Sequence, residues 1–157
     1  MRQPDWVVTT CGKAKLSHPA PASELYSGSF AQSQIKAARS LRPLKGHLIL
    51  SAKYGYLKAS EIIPPYDVRW GSSEAIADDV LSDQIASLGV AQGDSVVHLG
   101  GLAYAERSLR LMPEGVGVDW IPSLLGSRGM GNQIRLYKTI QMTRNLPSGW
   151  EKTLLTV

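Results

Sequence analysis

The chain reads as a three-layer α/β/α domain on a mainly parallel central sheet, and three observations predict this. Two short runs, WVVTT at 6–10 and HLILS at 47–51, are apolar almost without interruption. Such runs suit central parallel strands covered on both faces. Amphipathic stretches with helical spacing stand between the apolar runs, so strand and helix alternate along the chain. The chain has 157 residues and one Cys. That length suffices to bury roughly 68 to 70% of the unfolded surface, with no disulfide or Cys-rich zinc cage to help.

Taken in order, residues 6–10 form the first strand and enter the polar loop CGKAK. A Pro- and Ser-rich connector follows at 17–28. Phe30, Gln34, Ala37, Ala38 and Leu41 repeat at helical spacing, and Pro43 with Gly46 closes that helix. Residues 47–51 are the second strand. The stretch AKYGYLKASEIIPPYDVRWG, 52–71, is expected to be a long irregular loop, because Gly55, Pro64 and Pro65 oppose any long regular element. Its aromatic residues, Tyr54, Tyr56, Tyr66 and Trp70, favour order over disorder. Ser72 and Ser73 are candidate caps for a helix carrying Ile76, Val80, Leu81, Gln84, Ile85 and Leu88, ended by Gly89. Residues 95–99 make a third strand that runs through Gly100-Gly101 into a helix over 103–111. A weaker fourth strand is expected at 116–121. The last helix follows SRGMG and carries Ile134, Tyr137, Ile140 and Gln141 on one side. With no repeat or composition break, the expectation is a single domain over 1–157.

Lys and Arg number 17 and Asp and Glu 13, giving a net charge of +4, which is compatible with a polyanionic partner. Most acids lie between Glu61 and Asp119, so one end of the fold should be more positive. No apolar run approaches the roughly 18 residues of a membrane span. The start, MRQPDWVVTT, lacks the regions of a signal peptide. The expected location is the cytoplasm, with no membrane partner.

Four polar segments fall at the carboxyl edge of the expected sheet, where open α/β sheets bind ligands. In CGKAK, Gly12 lets the backbone approach a ligand and Lys13, with the second lysine, offers point charges for phosphate or carboxylate. Cys11 is either a reactive thiol or a packed, inert one. The spacing differs from a phosphate-binding loop. In SAKYG, Ser51 and Tyr54 flank Lys53, which stands directly beyond a buried strand, suited to anion contact or nucleophilic work. Tyr54 or Tyr66 could stack on a base, and Asp67 could accept hydrogen bonds from a base edge or polarise a water. Gly100-Gly101, ahead of a helix that carries Tyr104, would present backbone donors and a positive helix end. Glycines with Arg128, Asn132 and Gln133 at the last helix start could cradle phosphate or read a base. His98 reads as a core histidine. No cluster has metal-ligand spacing, and neither metal nor cofactor is expected. Arg135, Lys138 and Arg144 on the last helix read as a solvated charged face.

The segments CGKAK, ELYSGSF, LSAKYGYL, PPYD, HLGGLAYAE and LLGSRGMGNQIRLY resemble a small, largely uncharacterised domain family of bacteria and phages. More distantly, SAKYGYLKASEIIPPYDVRWG is similar to a segment of the YaaA peroxide-stress proteins, though Ala59 and Ser60 depart from it; this resemblance implies DNA binding. CGKAK is similar to the Cys-containing motif of the archaeosine synthase core, which modifies a deazaguanine base in transfer RNA. Here Thr10 stands where that motif has Pro, and its KPY element is missing. What these resemblances imply in common is work on nucleic acid or a modified nucleobase.

The resulting expectation is a protein that recognises a nucleobase or nucleotide and acts on it by N-glycosidic cleavage or base exchange. The catalytic candidates are Lys53, Asp67 and Cys11. The binding candidates are Gly12, Lys13, Ser51, Tyr54, Tyr66, Gly100, Gly101, Tyr104, Arg128 and Gln133. The alternative is a non-catalytic DNA-binding or nucleotide-sensing module.

Overall fold

All five side chains of WVVTT are buried, and that double-sided burial makes this strand the centre of the sheet. A computed structural model describes residues 3–125 and 129–156. In chain order its strands are β1 (Trp6–Thr10), β2 (Ala20–Pro21), β3 (Gly46–Ser51), β4 (Gly55–Lys58), β5 (Ile62–Ile63), β6 (Ser95–His98) and β7 (Gly117–Trp120). Its helices are α1 (Ala22–Leu25), α2 (Ser29–Ser40), α3 (Asp78–Leu88), α4 (Leu102–Leu111) and α5 (Met130–Thr143). The main sheet has the order β4-β3-β1-β6-β7. β3, β1, β6 and β7 are parallel, and β4 is an antiparallel edge. β2 and β5 form a separate antiparallel pair.

The strand pleat sorts side chains into two helical layers. Val7 and Val97 pack with Ala37, Ala38, Leu136, Tyr137 and Ile140 of α2 and α5. On the other face Trp6, Val8, Leu48, Leu50, Val96 and Val118 meet Leu81 and Ile85 of α3 and Tyr104 and Leu109 of α4. The architecture is therefore the expected three-layer α/β/α arrangement. Among the described residues no helix is long and apolar enough to cross a membrane.

Two local expectations need correction. The stretch 52–71 is not irregular throughout, because β3 turns back through residues 52–54 into β4, whose first residue, Gly55, has φ +75°. A four-residue strand opening on glycine is too short to show a period. The helix after Ser72 starts at Asp78, since the Ser72 hydroxyl donates to the Arg69 carbonyl at 2.8 Å and caps no helix. Asp78 and Asp79 occupy the first turn, where negative charge suits the helix dipole.

Chain direction fixes where a ligand belongs. From β1 the chain passes through α2 to β3 on one side, and from β6 through α4 to β7 on the other. The crevice beyond the carboxyl ends of β1 and β6 is the topological switch point.

Two imidazoles make the stability acid-sensitive. Burial pushes His98 down to about 3, and burial with the nearby Arg39 charge pushes His47 down to about 4. The unfolded chain, with histidines near 6.5, then binds more protons than the folded one at any pH between these values. Stability is full above about 6.5 and falls as pH drops, by about 1.4 kcal/mol per unit for each histidine. Urea midpoints should decline from pH 7 to 5; a flat profile there would contradict neutral burial of these rings.

Candidate functional site

The loop after β1 begins with the Cys11 N–H donating to the Leu50 carbonyl at 3.0 Å, so Gly12, Lys13 and Lys15 emerge over the end of the sheet. Gly12 presses on α2, where an added Cβ would stand 3.3 Å from that of Ala31. At the β6 end Gly100 approaches β1 so closely that a Cβ would lie 2.3 Å from Thr10 Cγ2. Only glycine permits this contact, which brings the two strand ends together at the switch point.

Residues 64–77 close the crevice as an outer wall pinned at both ends. At one end Ser51 Oγ accepts the N–H groups of Lys53 and Tyr54 at 3.2 and 3.1 Å. This leaves its proton for Tyr66 Oη, 2.6 Å away, and Tyr66 in turn bonds Tyr26. Burial pushes the Tyr26 phenol up to about 12. Burial foremost, then the neighbouring Cys11, raises Tyr66. These phenols therefore keep their protons at neutral pH. At the other end Trp70 stacks on Tyr104, with ring centroids 4.0 Å apart, and the Arg107 guanidinium lies over Trp70 at 4.6 Å. Arg107 also donates to Asp78 and to the Ile76 carbonyl, each at 2.7 Å.

Between these pins lies a cavity of about 360 Å³ lined by Cys11, Gly12, Lys13, Lys15, Asp67, Val68, Arg69, Trp70 and Tyr104. Lys15 Nζ sits 4.5 Å from the centre of the Tyr66 ring, a cation–π contact that holds this ammonium at the rim. Cys11 Sγ lies 3.5 Å from Tyr104 Oη. Burial, followed by the adjacent Cys11, raises Tyr104, which stays a neutral hydroxyl donor. Among the described residues Asp67 is exposed and makes no hydrogen bond or ion pair, so its carboxylate is available to a ligand. Three cations against one carboxylate favour an anionic ligand.

Of the residues expected from sequence, Cys11, Gly12, Lys13, Asp67 and Tyr104 line this cavity. Tyr66 and Ser51 stand behind it as positioning groups. Lys53 is exposed with its ammonium 5.2 Å from the Tyr54 ring centre, and neither residue lines the cavity. The Gly100 N–H does not face a ligand as a free donor, because it donates to His98 Nδ1 at 3.2 Å. Gly101 is exposed at the N-terminus of α4, whose first turn has no side-chain cap. The Gln133 side chain accepts from Tyr137 Oη at 3.3 Å. Arg128 lies outside the described residues. The sequence reading missed Trp70 and Arg69 as lining groups; a tryptophan within a Pro- and Gly-rich polar loop was the only available signal.

Two buried polar atoms, Gln34 Nε2 and His98 Nε2, have no hydrogen-bond partner among the described residues. Gln34 Oε1 accepts the Thr10 N–H at 3.2 Å, so one of these atoms belongs to a side chain bonded at the carboxyl end of β1. Among the described residues no group of three or more His, Cys, Asp or Glu is placed to hold a metal ion.

No curated protein and no solved structure matches this chain. A family profile does match, across the strands and helices that build the switch point. The chain belongs to a family of unknown function (DUF6884), matched over residues 7–139.

Proposed function

We propose that the cavity takes a nucleotide, free or within a nucleic acid, and releases or exchanges its base at the N-glycosidic bond. One observation carries this reading: a stacked aromatic pair, an unpaired carboxylate and three cations line a single cavity at the switch point. The stacked pair of Trp70 and Tyr104, which lines the cavity, offers the base an aromatic wall. Lys13, Lys15 and Arg69 bind the phosphate. Asp67 accepts a proton from water as the water oxygen bonds C1′ and the C1′–N bond breaks. The base leaves with that electron pair, steadied by the Tyr104 hydroxyl, and takes up one proton. Cys11 orients Tyr104 through its thiol contact. The resemblances to YaaA proteins and to the archaeosine synthase core imply only the broader class, work on nucleic acid or a modified nucleobase.

A second reading, a non-catalytic nucleotide-sensing or DNA-binding module, is favoured by the excess of cations over carboxylate in the lining. Both readings place a base on Trp70. Calorimetric titration with nucleoside monophosphates tests this: Trp70→Ala should weaken binding about tenfold, and Lys13→Ala with Lys15→Ala should weaken nucleotide but not nucleoside. Affinity unchanged in both variants, Trp70→Ala and the double lysine variant, would remove both readings.

A further inference from the structure

A second concave surface lies at the opposite end of the fold. α2 starts at the carboxyl edge of β1 and α5 follows β7, so both helices end at the amino edge of the sheet, packed side by side on one face. Their last turns and the residues just beyond them line a groove of about 430 Å³ formed by Lys36, Arg39, Ser40, Arg42, Gln141 and Arg144. No carboxylate lines it, and among the described residues none of its four cations is in a salt bridge.

Cations at helix C-termini complement the helix dipole, and that effect alone accounts for a basic residue in the last turn. It does not account for the backbone. Arg42, with φ +48°, and Arg144, with φ +57°, are the non-glycine residues in left-handed conformation among those described. Both stand in this groove. Left-handed backbone after a helix is ordinarily assigned to glycine, and this chain does so at the end of α3, where Gly89 has φ +83°. A β-carbon makes the same conformation costly. At the ends of α2 and α5 the chain carries that cost and keeps a guanidinium. Strain held at a cluster of like-charged, unpaired groups points to a ligand that needs them.

We propose that this groove binds the phosphodiester backbone of a nucleic acid. Three of the four cations are arginines, whose planar forks match phosphate oxygens two at a time. The groove spans two helices, which fits successive phosphates of a polymer. It contributes affinity without base readout. The site is separate from the β1–β6 cavity, and its existence does not depend on the chemistry proposed there.

The double variant Arg42→Gly/Arg144→Gly tests this cleanly, because glycine removes each charge and also the left-handed strain. Fluorescence anisotropy of a labelled 20-nucleotide single strand and of its duplex would be followed from 50 to 300 mM KCl. Wild type should bind with a steep salt dependence. The double variant should bind at least tenfold more weakly at 100 mM, with a log–log slope shallower by about 1.4 on the single strand and 1.8 on the duplex. Its melting temperature should be unchanged or higher, and its affinity for nucleoside monophosphate unchanged. Equal oligonucleotide binding by variant and wild type, or no binding by wild type at 50 mM KCl, would overturn the proposal. So would binding to anionic phospholipid vesicles without binding to either oligonucleotide.

Discussion

An Asp67→Asn variant will release base about 10² to 10⁴ times more slowly than wild type, the usual span for loss of a positioned general base. The amide preserves size and shape but neither accepts the water proton nor places negative charge beside an oxocarbenium-like sugar. Its neighbours make the comparison clean. Tyr66 is tied to Ser51 and Trp70 to Tyr104, so the backbone that carries residue 67 is held from both sides. Asp67 has no protein partner to lose, and the melting temperature should stay within about 1 °C, as expected of a surface substitution that breaks no contact. Calorimetric affinity for nucleotide should persist in the variant. Full activity in Asp67→Asn would remove the carboxylate from the mechanism.

Gly55→Ala will be among the most damaging single-methyl substitutions in the chain. Gly55 has φ +75°, and an added Cβ would stand 2.1 Å from Gln84 Oε1 and 2.7 Å from Ile76 Cδ1. Gln84 cannot simply swing away. Its Oε1 accepts the Tyr56 N–H at 2.9 Å and its Nε2 donates to the Tyr54 carbonyl at 2.8 Å, so these two bonds fasten the β3–β4 hairpin to α3. Left-handed strain of about 1 kcal/mol adds to roughly 1 kcal/mol for each bond displaced. The expected loss is about 3 kcal/mol, a fall in melting temperature of roughly 6 to 12 °C. Gly89→Ala is the matched control, with φ +83° and nothing within 4 Å of the added carbon. It should cost only the backbone share, about 1 kcal/mol. Equal losses at both positions would show that Gln84 does not lock the hairpin.

The two variants also mark what sequence pattern could and could not reveal. β1, β3 and β6 were legible because burial on both faces leaves a run of apolar residues, and α2 and α5 because one buried stripe recurs each turn. β4 was not, since its register is set by Ser51 Oγ and Gln84, one at the strand end and the other on α3. Ser72 has the residue type of a helix cap, but its hydroxyl is turned to the Arg69 carbonyl. The rule for open sheets puts Cys11, Gly12, Lys13 and Tyr104 at one edge, and in the structure all four line one cavity. Lys53 follows a buried strand just as Cys11 does, but its strand folds straight back and carries the ammonium onto the outside of a hairpin. The contact of Trp70 with Tyr104 joins residues far apart in sequence, and no local pattern encodes such a pairing.

The central claim is that this cavity breaks an N-glycosidic bond. The most direct measurement is mass spectrometry of the products after incubating wild-type protein with nucleotides, transfer RNA, and plain and hypermodified DNA. A free or exchanged base, present with wild type and lost with Asp67→Asn, is the result this account predicts. Intact substrates throughout, with a nucleotide retained on the protein in native mass spectra, would contradict it and leave a binding module in its place.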